Sequence, residues 1–445
     1  GRHLFSLRQQ HPPATDLAPA ENHLMSAVVH RQKRHRTWNI ICPVSQHFSA
    51  WRCPNYHQIK VCPSLRPEPL PYQQWRFAPP INSTGRPSKY LLRIRLQLLI
   101  LFFIRGDGGH SVRCILHIGT EKTGSTSLQT ALSVNREHLS ERGIFYSKAA
   151  GTLNSRALAA AFCEYSSDDY LARLGIEDTT QHISWRNNLL DKIREEVVTA
   201  QTGHDTFLLS SEHFSSRLVR EEQIASLKSF LLTLFADFDV ACYLRRQDRM
   251  AVSRHNEVLR AGFAEPILPN VQASDSLPLL FDFEALLRRW SKLAGQSALK
   301  PRIYDKKALV DGDVVDDFSK TFLHTRLPER PLRQANVALS KPAQDALHMF
   351  NTAMGPKTRK ALSQARRKLS QYLEIHAPGQ GRQPTSGEAR EFYNLFKKGN
   401  DLVARTYFNE EILFPEDFNS EYPEIEDSKH HTGAQLLLQY FEHLI

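Results

Sequence analysis

Six cysteines in 445 residues are too few to staple a chain of this size, so disulfides are excluded as its main source of stability. A run of about 20 apolar residues, the length that spans a bilayer, is missing as well. The nearest approach, 91–104, is 14 residues long and interrupted by Arg93 and Arg95; its unbroken part is Leu98–Ile104. A short signal-anchor there is the alternative to a peptide that packs on a domain or stays disordered; the remainder reads as cytoplasmic. There is no internal repeat, which excludes a solenoid. An apolar fraction of 41% with 23% charged residues excludes a disordered or collagen-like chain.

An excess of one charge sign is also missing from most of the chain. The net charge is +10, yet residues 1–110 hold 15 Lys and Arg against 4 Asp and Glu, leaving 42 basic and 43 acidic residues beyond them. Basicity therefore belongs to the first quarter and says nothing of nucleic-acid binding by the rest. That quarter also holds 12 of the 24 prolines, and no helical or strand period runs through it. Proline removes a backbone donor and disfavours helix at the residue before it, so an irregular or disordered extension is expected: a tail or an over-extended reading frame rather than a domain. Cys42, Cys53 and Cys62 are spaced too widely for the tight pairs of a zinc site, and no metal is expected. Cys114, Cys163 and Cys242 lie among apolar residues and are expected in the core.

From 111 onward the pattern changes, and 111–445 reads as one α/β domain. Strands are expected at Val112–Ile118, Gly143–Tyr146, Thr206–Leu209, Asp239–Leu244 and Arg302–Tyr304. Helices are expected at Ser125–Leu139, Ser184–Ala200, Gln223–Phe235, from the strand at 244 through Arg260, and at Phe283–Leu293. The tail is mostly helical, including Ala343–Met349, Glu388–Phe408 and Gly433–His443. Strands alternating with helices imply a central parallel sheet in a three-layer α/β/α arrangement, where ligands sit at the carboxyl ends of strands.

Three strand ends carry polar clusters. In His117-Ile118-Gly119-Thr120-Glu121-Lys122-Thr123-Gly124-Ser125-Thr126-Ser127 a strand runs through a loop into a helix. Loop amides and a helix N-terminus aimed at one place suit an anion, and Lys122, Thr123, Ser125, Thr126 and Ser127 add donors. Gly119 and Gly124 have the spacing of a nucleotide P-loop, but Ser125 stands where its lysine belongs and Lys122 lies inside the loop, against an ordinary ATPase or kinase. The alternative is a capped strand–helix turn with no ligand. In the second cluster Arg245 leaves a strand end and Ser253 follows two helical turns later, a guanidinium and hydroxyl suited to another phosphate; Arg-rich helix starts are otherwise commonly solvated. The third, Leu208-Leu209-Ser210-Ser211-Glu212-His213, sets a carboxylate and an imidazole just past a strand. Either suits proton abstraction, and an isolated Glu-His pair is otherwise an ion-pair partner and a packing residue.

The run Thr120–Ser127 resembles the 5′-phosphosulfate loop of sulfotransferases that use 3′-phosphoadenosine 5′-phosphosulfate (PAPS), and Arg245 with Ser253 resembles that family's 3′-phosphate motif. The Leu-Ser-Ser-Glu-His run and Ala404-Arg405-Thr406-Tyr407-Phe408 are similar to bacterial members that act on glycans or on unknown acceptors. The resemblance spans roughly 112–415. The Arg-Lys-Gly-x-x-Gly segment and the Lys-x-His motif of the cytosolic enzymes are missing, so adenine contacts are unassigned and the base is placed by position only. The resemblance implies a P-loop-like sulfotransferase with PAPS as co-substrate, no metal, and a hydroxyl acceptor, expected to be a carbohydrate. Lys122 would neutralise charge on the bridging oxygen; Thr123, Gly124, Ser125, Thr126 and Ser127 would hold the 5′-phosphate; Arg245 and Ser253 the 3′-phosphate. Glu212, or else His213, would be the base. Acceptor loops are expected at Phe263–Phe281 and in the C-terminal helices. Two other readings stand beside this one. One is a P-loop kinase or NTPase; the other is a binder of nucleic acid or anionic surfaces through Arg31, Lys33, Arg34, Arg36 and Trp38.

Overall fold

A computed structural model describes the backbone of 28–30 and 39–41, and residues 112–444 apart from 166–167, 237, 273–275, 331–337, 356–360 and 426–432. The three N-terminal cysteines, the basic patch and the run at 91–104 lie outside the described residues. The chain divides into two units, Gly1–Ser88 and Lys89–Ile445. In the first, β1 (Val28–His30) pairs antiparallel with β2 (Asn39–Ile41).

The second unit is built on five strands: β3 (Arg113–His117), β4 (Ile144–Tyr146), β5 (Thr206–Ser210), β6 (Phe238–Leu244) and β7 (Leu299–Ile303). They pair in the order β4-β5-β3-β6-β7, all parallel, with β3 in the centre. Both faces are covered, which is why the strands read as continuous apolar runs rather than as an alternation. Cys114, Leu116 and Ile118 of β3 and its extension pack on one side with helices α2 (Thr179–Ala200), α3 (Glu221–Leu231) and α5 (Phe283–Ala294). Ile115 packs on the other with α1 (Ser125–Val134) and α6 (Val314–Phe322). The three-layer α/β/α expectation holds, and Cys114, Cys163 and Cys242 are buried free thiols. Burial pushes the Cys163 and Cys242 thiols up to about 12.

The remaining labelled helices are α4 (Gln247–Arg260), α7 (Lys341–Met354), α8 (Ser363–His376), α9 (Ser386–Asn394) and α10 (Gly433–Leu444). Helices α7, α8 and α10 form their own core around Leu347, Leu369, Leu373 and Tyr440, touching α4 at Leu259. Among the described residues no helix is long and apolar enough to cross a membrane.

Several expected elements differ: the strand expected at 302–304 is Leu299–Ile303, and the helix expected to reach Phe235 ends at Leu231. The helix expected over 125–139 stops at Val134. There Asn135 caps it, donating to the Ala131 carbonyl at 2.8 Å and to the Glu329 carbonyl at 2.9 Å, before a short helix restarts at Arg136. The helix expected over 388–408 is three pieces: α9, Lys397–Val403, and one π turn at Ala404–Phe408. Helix α2 begins five residues earlier than expected, at the cap where the Asp178 side chain accepts from the Gln181 amide.

Candidate anion and acceptor site

The carboxyl ends of β3, β5 and β6 meet where the order of the sheet reverses, the usual place for a ligand in this architecture. The chain leaves β3 still tied to both neighbours. Ser211 N–H donates to the His117 carbonyl and Ile118 N–H to the Ala241 carbonyl, each at 2.9 Å. The loop then passes through three left-handed residues, Gly119 (φ 64°), Lys122 (φ 63°) and Gly124 (φ 74°). For Lys122 this conformation is a steric cost that the surroundings must hold in place. Gly119 is required for a second reason: a Cβ there would lie 2.7 Å from Glu212 Cα.

Two loop hydroxyls turn inward. Thr120 Oγ1 donates to the Tyr243 carbonyl and Thr123 Oγ1 to the Thr120 carbonyl, both at 2.7 Å, and both residues are buried. Thr123 is therefore placed to serve an anion through its amide rather than its hydroxyl. Ser125 is buried, and Thr126 and Ser127 are exposed on the first turn of α1. Gly124 at the helix start gives no side-chain cap, and no acidic residue lies in that first turn. The amides at this N-terminus are left to an external acceptor. The cradle fits a phosphate or sulfate by that criterion.

Arg245 emerges from β6 and its Nη1 donates to the Lys122 carbonyl at 2.8 Å, with the guanidinium 5.5 Å from the centre of the Tyr304 ring. Burial holds its pKa below the usual arginine value. The first and second clusters of the sequence thus share a hydrogen bond. Ser253 sits half-buried on α4. One turn on, Glu257 Oε1 takes Lys122 Nζ at 2.5 Å. Beside Lys122, Glu121 reaches Arg254 at 3.8 Å, and burial raises its carboxyl pKa. The other arginines of this helix start are not solvated. Arg246, 1% exposed, is bonded to Asp248 at 2.8 Å, Asp417 at 2.6 Å and Glu421 at 2.6 Å. Arg249 pairs with Asp305 and Glu421. Tyr422 donates to Asp248 at 2.7 Å, so the segment 415–422 is bound to the root of the Arg245 motif.

Glu212 follows β5, and its Oε2 accepts from Gln129 Nε2 at 2.8 Å. His213 opens a short helix with its Nε2 3.9 Å from Glu212 Oε1. Burial lowers the His213 pKa to about 4, with the Arg156 guanidinium acting in the same direction, so the ring is neutral at pH 7. His117, on β3, bonds Ser210 Oγ at 2.8 Å between the Tyr243 and Phe318 rings; burial lowers it to about 4 as well. Tyr304, Glu257, Gln129 and Asn154 were not singled out by sequence reasoning. Gln129 had a signal: it is a polar residue on the apolar side of a helix marked by Leu128 and Leu132.

No family model matches the chain. It is 26% identical over 213 residues to an uncharacterized protein of Archaeoglobus fulgidus, a match covering 46% of this chain and 55% of the relative. The chain thus spans about half the length of the curated relative it matches. Among solved structures it is similar to a sulfotransferase from Alicyclobacillus acidocaldarius, at 15% identity and a TM-score of 0.32, covering 58% of this chain and 99% of that one. It is also similar to the PezAT chromosomal toxin–antitoxin system of Streptococcus pneumoniae, at 14% identity and a TM-score of 0.24, covering 65% of this chain and 98% of that one. What the chain itself displays is a P-loop-like strand–loop–helix on an all-parallel sheet, with a helix start that has no side-chain cap at the sheet's carboxyl end.

Proposed function

We propose that this protein is a PAPS-dependent sulfotransferase that moves a sulfuryl group to an acceptor hydroxyl, with a carbohydrate as the acceptor class. The observation that carries the reading is the hydrogen bond from Arg245 to the Lys122 carbonyl, which joins the loop resembling a 5′-phosphosulfate site to the motif resembling a 3′-phosphate site. A donor that carries phosphate groups at two positions of one ribose is what two such anion sites would select.

In this reading the amides at the start of α1, with Ser125, Thr126 and Ser127, hold the 5′-phosphate, and Arg245 with Ser253 holds the 3′-phosphate. Lys122 leaves Glu257 and neutralises the charge growing on the oxygen between phosphorus and sulfur as that S–O bond breaks. Glu212 or His213 takes the acceptor proton as the new S–O bond forms. Positioning and fixed charge do most of the work, as in phosphoryl transfer. The acceptor class rests on the resemblance of the Ser-Ser-Glu-His run to glycan-type members.

The test is calorimetric titration of the full chain with 3′-phosphoadenosine 5′-phosphate, beside ATP with magnesium. Binding of the bisphosphate that is lost in Arg245→Ala supports the reading. Preference for ATP replaces it with the kinase reading, and binding of neither by folded protein overturns it.

A further inference from the structure

Gln129 is 1% exposed, in a helix whose neighbouring side chains Leu128, Ala131 and Leu132 are core. A primary amide in such a place is costly unless both of its ends are bonded. Both are: Nε2 donates to Glu212 Oε2 at 2.8 Å, and Oε1 accepts from Asn154 Nδ2 at 3.1 Å. The network fixes which end is nitrogen, because an ionised carboxylate only accepts. Ser125 and Gln129 are four residues apart on α1, so the amide sits one turn behind the start of the anion cradle. From the other side Gly119 lies against the Glu212 backbone, at a distance that leaves no room for a Cβ. The carboxylate is therefore located by the loop and by the helix that together form the cradle.

We propose that Gln129, oriented by Asn154, is a positioning residue that clamps Oε2 of Glu212 and leaves Oε1 to take the acceptor proton, which makes Glu212 rather than His213 the base. The inference rests on the sulfuryl-transfer reading. As the acceptor oxygen–sulfur bond forms, the acceptor proton passes to Glu212 Oε1, the sulfur–oxygen bond to the 5′-phosphate breaks, and 3′-phosphoadenosine 5′-phosphate leaves. With water as acceptor the other product is sulfate. His213 is a poorer candidate on geometry: its Nδ1 is buried without a hydrogen-bond partner, and its Nε2 lies 3.9 Å from Glu212 Oε1, beyond hydrogen-bond distance, so the ring lacks the clamp that Gln129 gives Glu212. The Glu212 carboxylate in turn acts on the titratable groups around it: His213 beside it, His117 on β3, Glu121 in the loop and Tyr146 on β4.

The experiment uses the full chain, with PAPS and water as the only substrates, and follows release of 3′-phosphoadenosine 5′-phosphate across a pH series. Affinity for 3′-phosphoadenosine 5′-phosphate is titrated in parallel. Gln129→Ala is expected to lower turnover about 100-fold with donor affinity unchanged, because it releases the base from its register. Asn154→Ala, at a half-buried site, is expected to lower it about 10-fold by the same loss of positioning. Gln129→Glu keeps the shape and remains informative should the alanine variant fail to fold. Its two carboxylates would share a proton and move the midpoint of base titration up by about one pH unit or more, a shift that a merely structural role does not produce. Wild-type turnover and an unmoved midpoint in Gln129→Glu would overturn the proposal while donor binding stood. So would loss of turnover in His213→Asn with turnover retained in Glu212→Gln. Absence of donor binding in the wild type would instead overturn the sulfuryl-transfer reading, and this inference with it.

Discussion

Helices α1 and α6 begin side by side, close enough that a Cβ on Gly124 would lie 2.8 Å from Val314 Cγ1, yet they treat their first turns in opposite ways. Helix α6 closes its own N-terminus. Asp313 Oδ1 accepts from the Val315 amide at 2.8 Å and from the Asp316 amide at 3.4 Å, and Asp316 and Asp317 add negative charge to the first turn. Helix α1 has a glycine where that aspartate would be and no acid in its first turn. Both helices carry the same partial positive charge at their starts. In one it is satisfied by side chains and contributes to stability; in the other it has no side-chain cap and lies next to the Lys122 loop. The difference separates a helix start closed by its own side chains from one left without a side-chain cap within the same layer of the fold.

The sharpest way to break this comparison is to remove Lys122, the cation of the loop that leads into α1. Lys122→Ala is expected to lower PAPS turnover about 100- to 1,000-fold, the scale of losing one preorganised charge contact in a transition state. Turnover equal to wild type would remove Lys122 from the site. The next is to give α1 the acid that α6 carries. Thr126→Asp, on the exposed first turn, is expected to weaken titrated 3′-phosphoadenosine 5′-phosphate by about 100-fold through repulsion, while the melting temperature stays level or rises because an acid there complements the helix dipole. Opposite signs for binding and stability are the signature; a loss of both would mean the helix start is structural.

Arg245→Ala follows, with an expected loss of about 30-fold in affinity for the same bisphosphate, near what a charged hydrogen bond contributes. Its effect on ATP affinity should be smaller, which calorimetry with both ligands will read. The mirror experiment is Asp313→Ala, which opens the start of α6. It is expected to cost about 1 kcal/mol in denaturant unfolding and to leave bisphosphate affinity unchanged. The smallest effect belongs to Glu257→Gln. Its carboxylate is half exposed, so releasing Lys122 from it is expected to tighten the bisphosphate by no more than about fivefold, the range of a solvated ion pair. A loss of affinity in that variant would show that Glu257 helps the ligand rather than competing with it.

Much of the frame could be read locally. Val112–Ile118 announced β3 because a strand buried on both faces is a continuous apolar run, and the observed strand covers Arg113–His117. Leu128, Leu132 and Leu139 announced a buried helical side, and all three are core. The break at Asn135 was less legible, because the carbonyl that Asn135 holds belongs to Glu329, 194 residues away. Within the range expected as one helix, 388–408, the long-range partners were equally hidden. Asn400 exchanges amide hydrogen bonds with Gln247 across 153 residues, and the local period carries no trace of that partner. Short helices such as His213–Arg217 and Asp169–Arg173 are too brief to show a period at all.

The sequence alone determined the layer architecture, the order of strands and helices, and the chemistry of the loop, because these depend on periodicity and on which residue types follow a strand. It left open whether Arg245 lay in water or against the loop, and which of Glu212 and His213 was held in place. Those answers came from the parallel pairing of β5, β3 and β6, which brings the residues after 117, 210 and 244 to one rim. Hydrogen bonds between residues 83 to 123 positions apart are then made at that rim, Gln129 to Glu212 and Arg245 to Lys122 among them. Local physics selects the elements; only their packing decides which polar side chain meets which, because a hydrogen bond acts over about 3 Å whatever the distance along the chain.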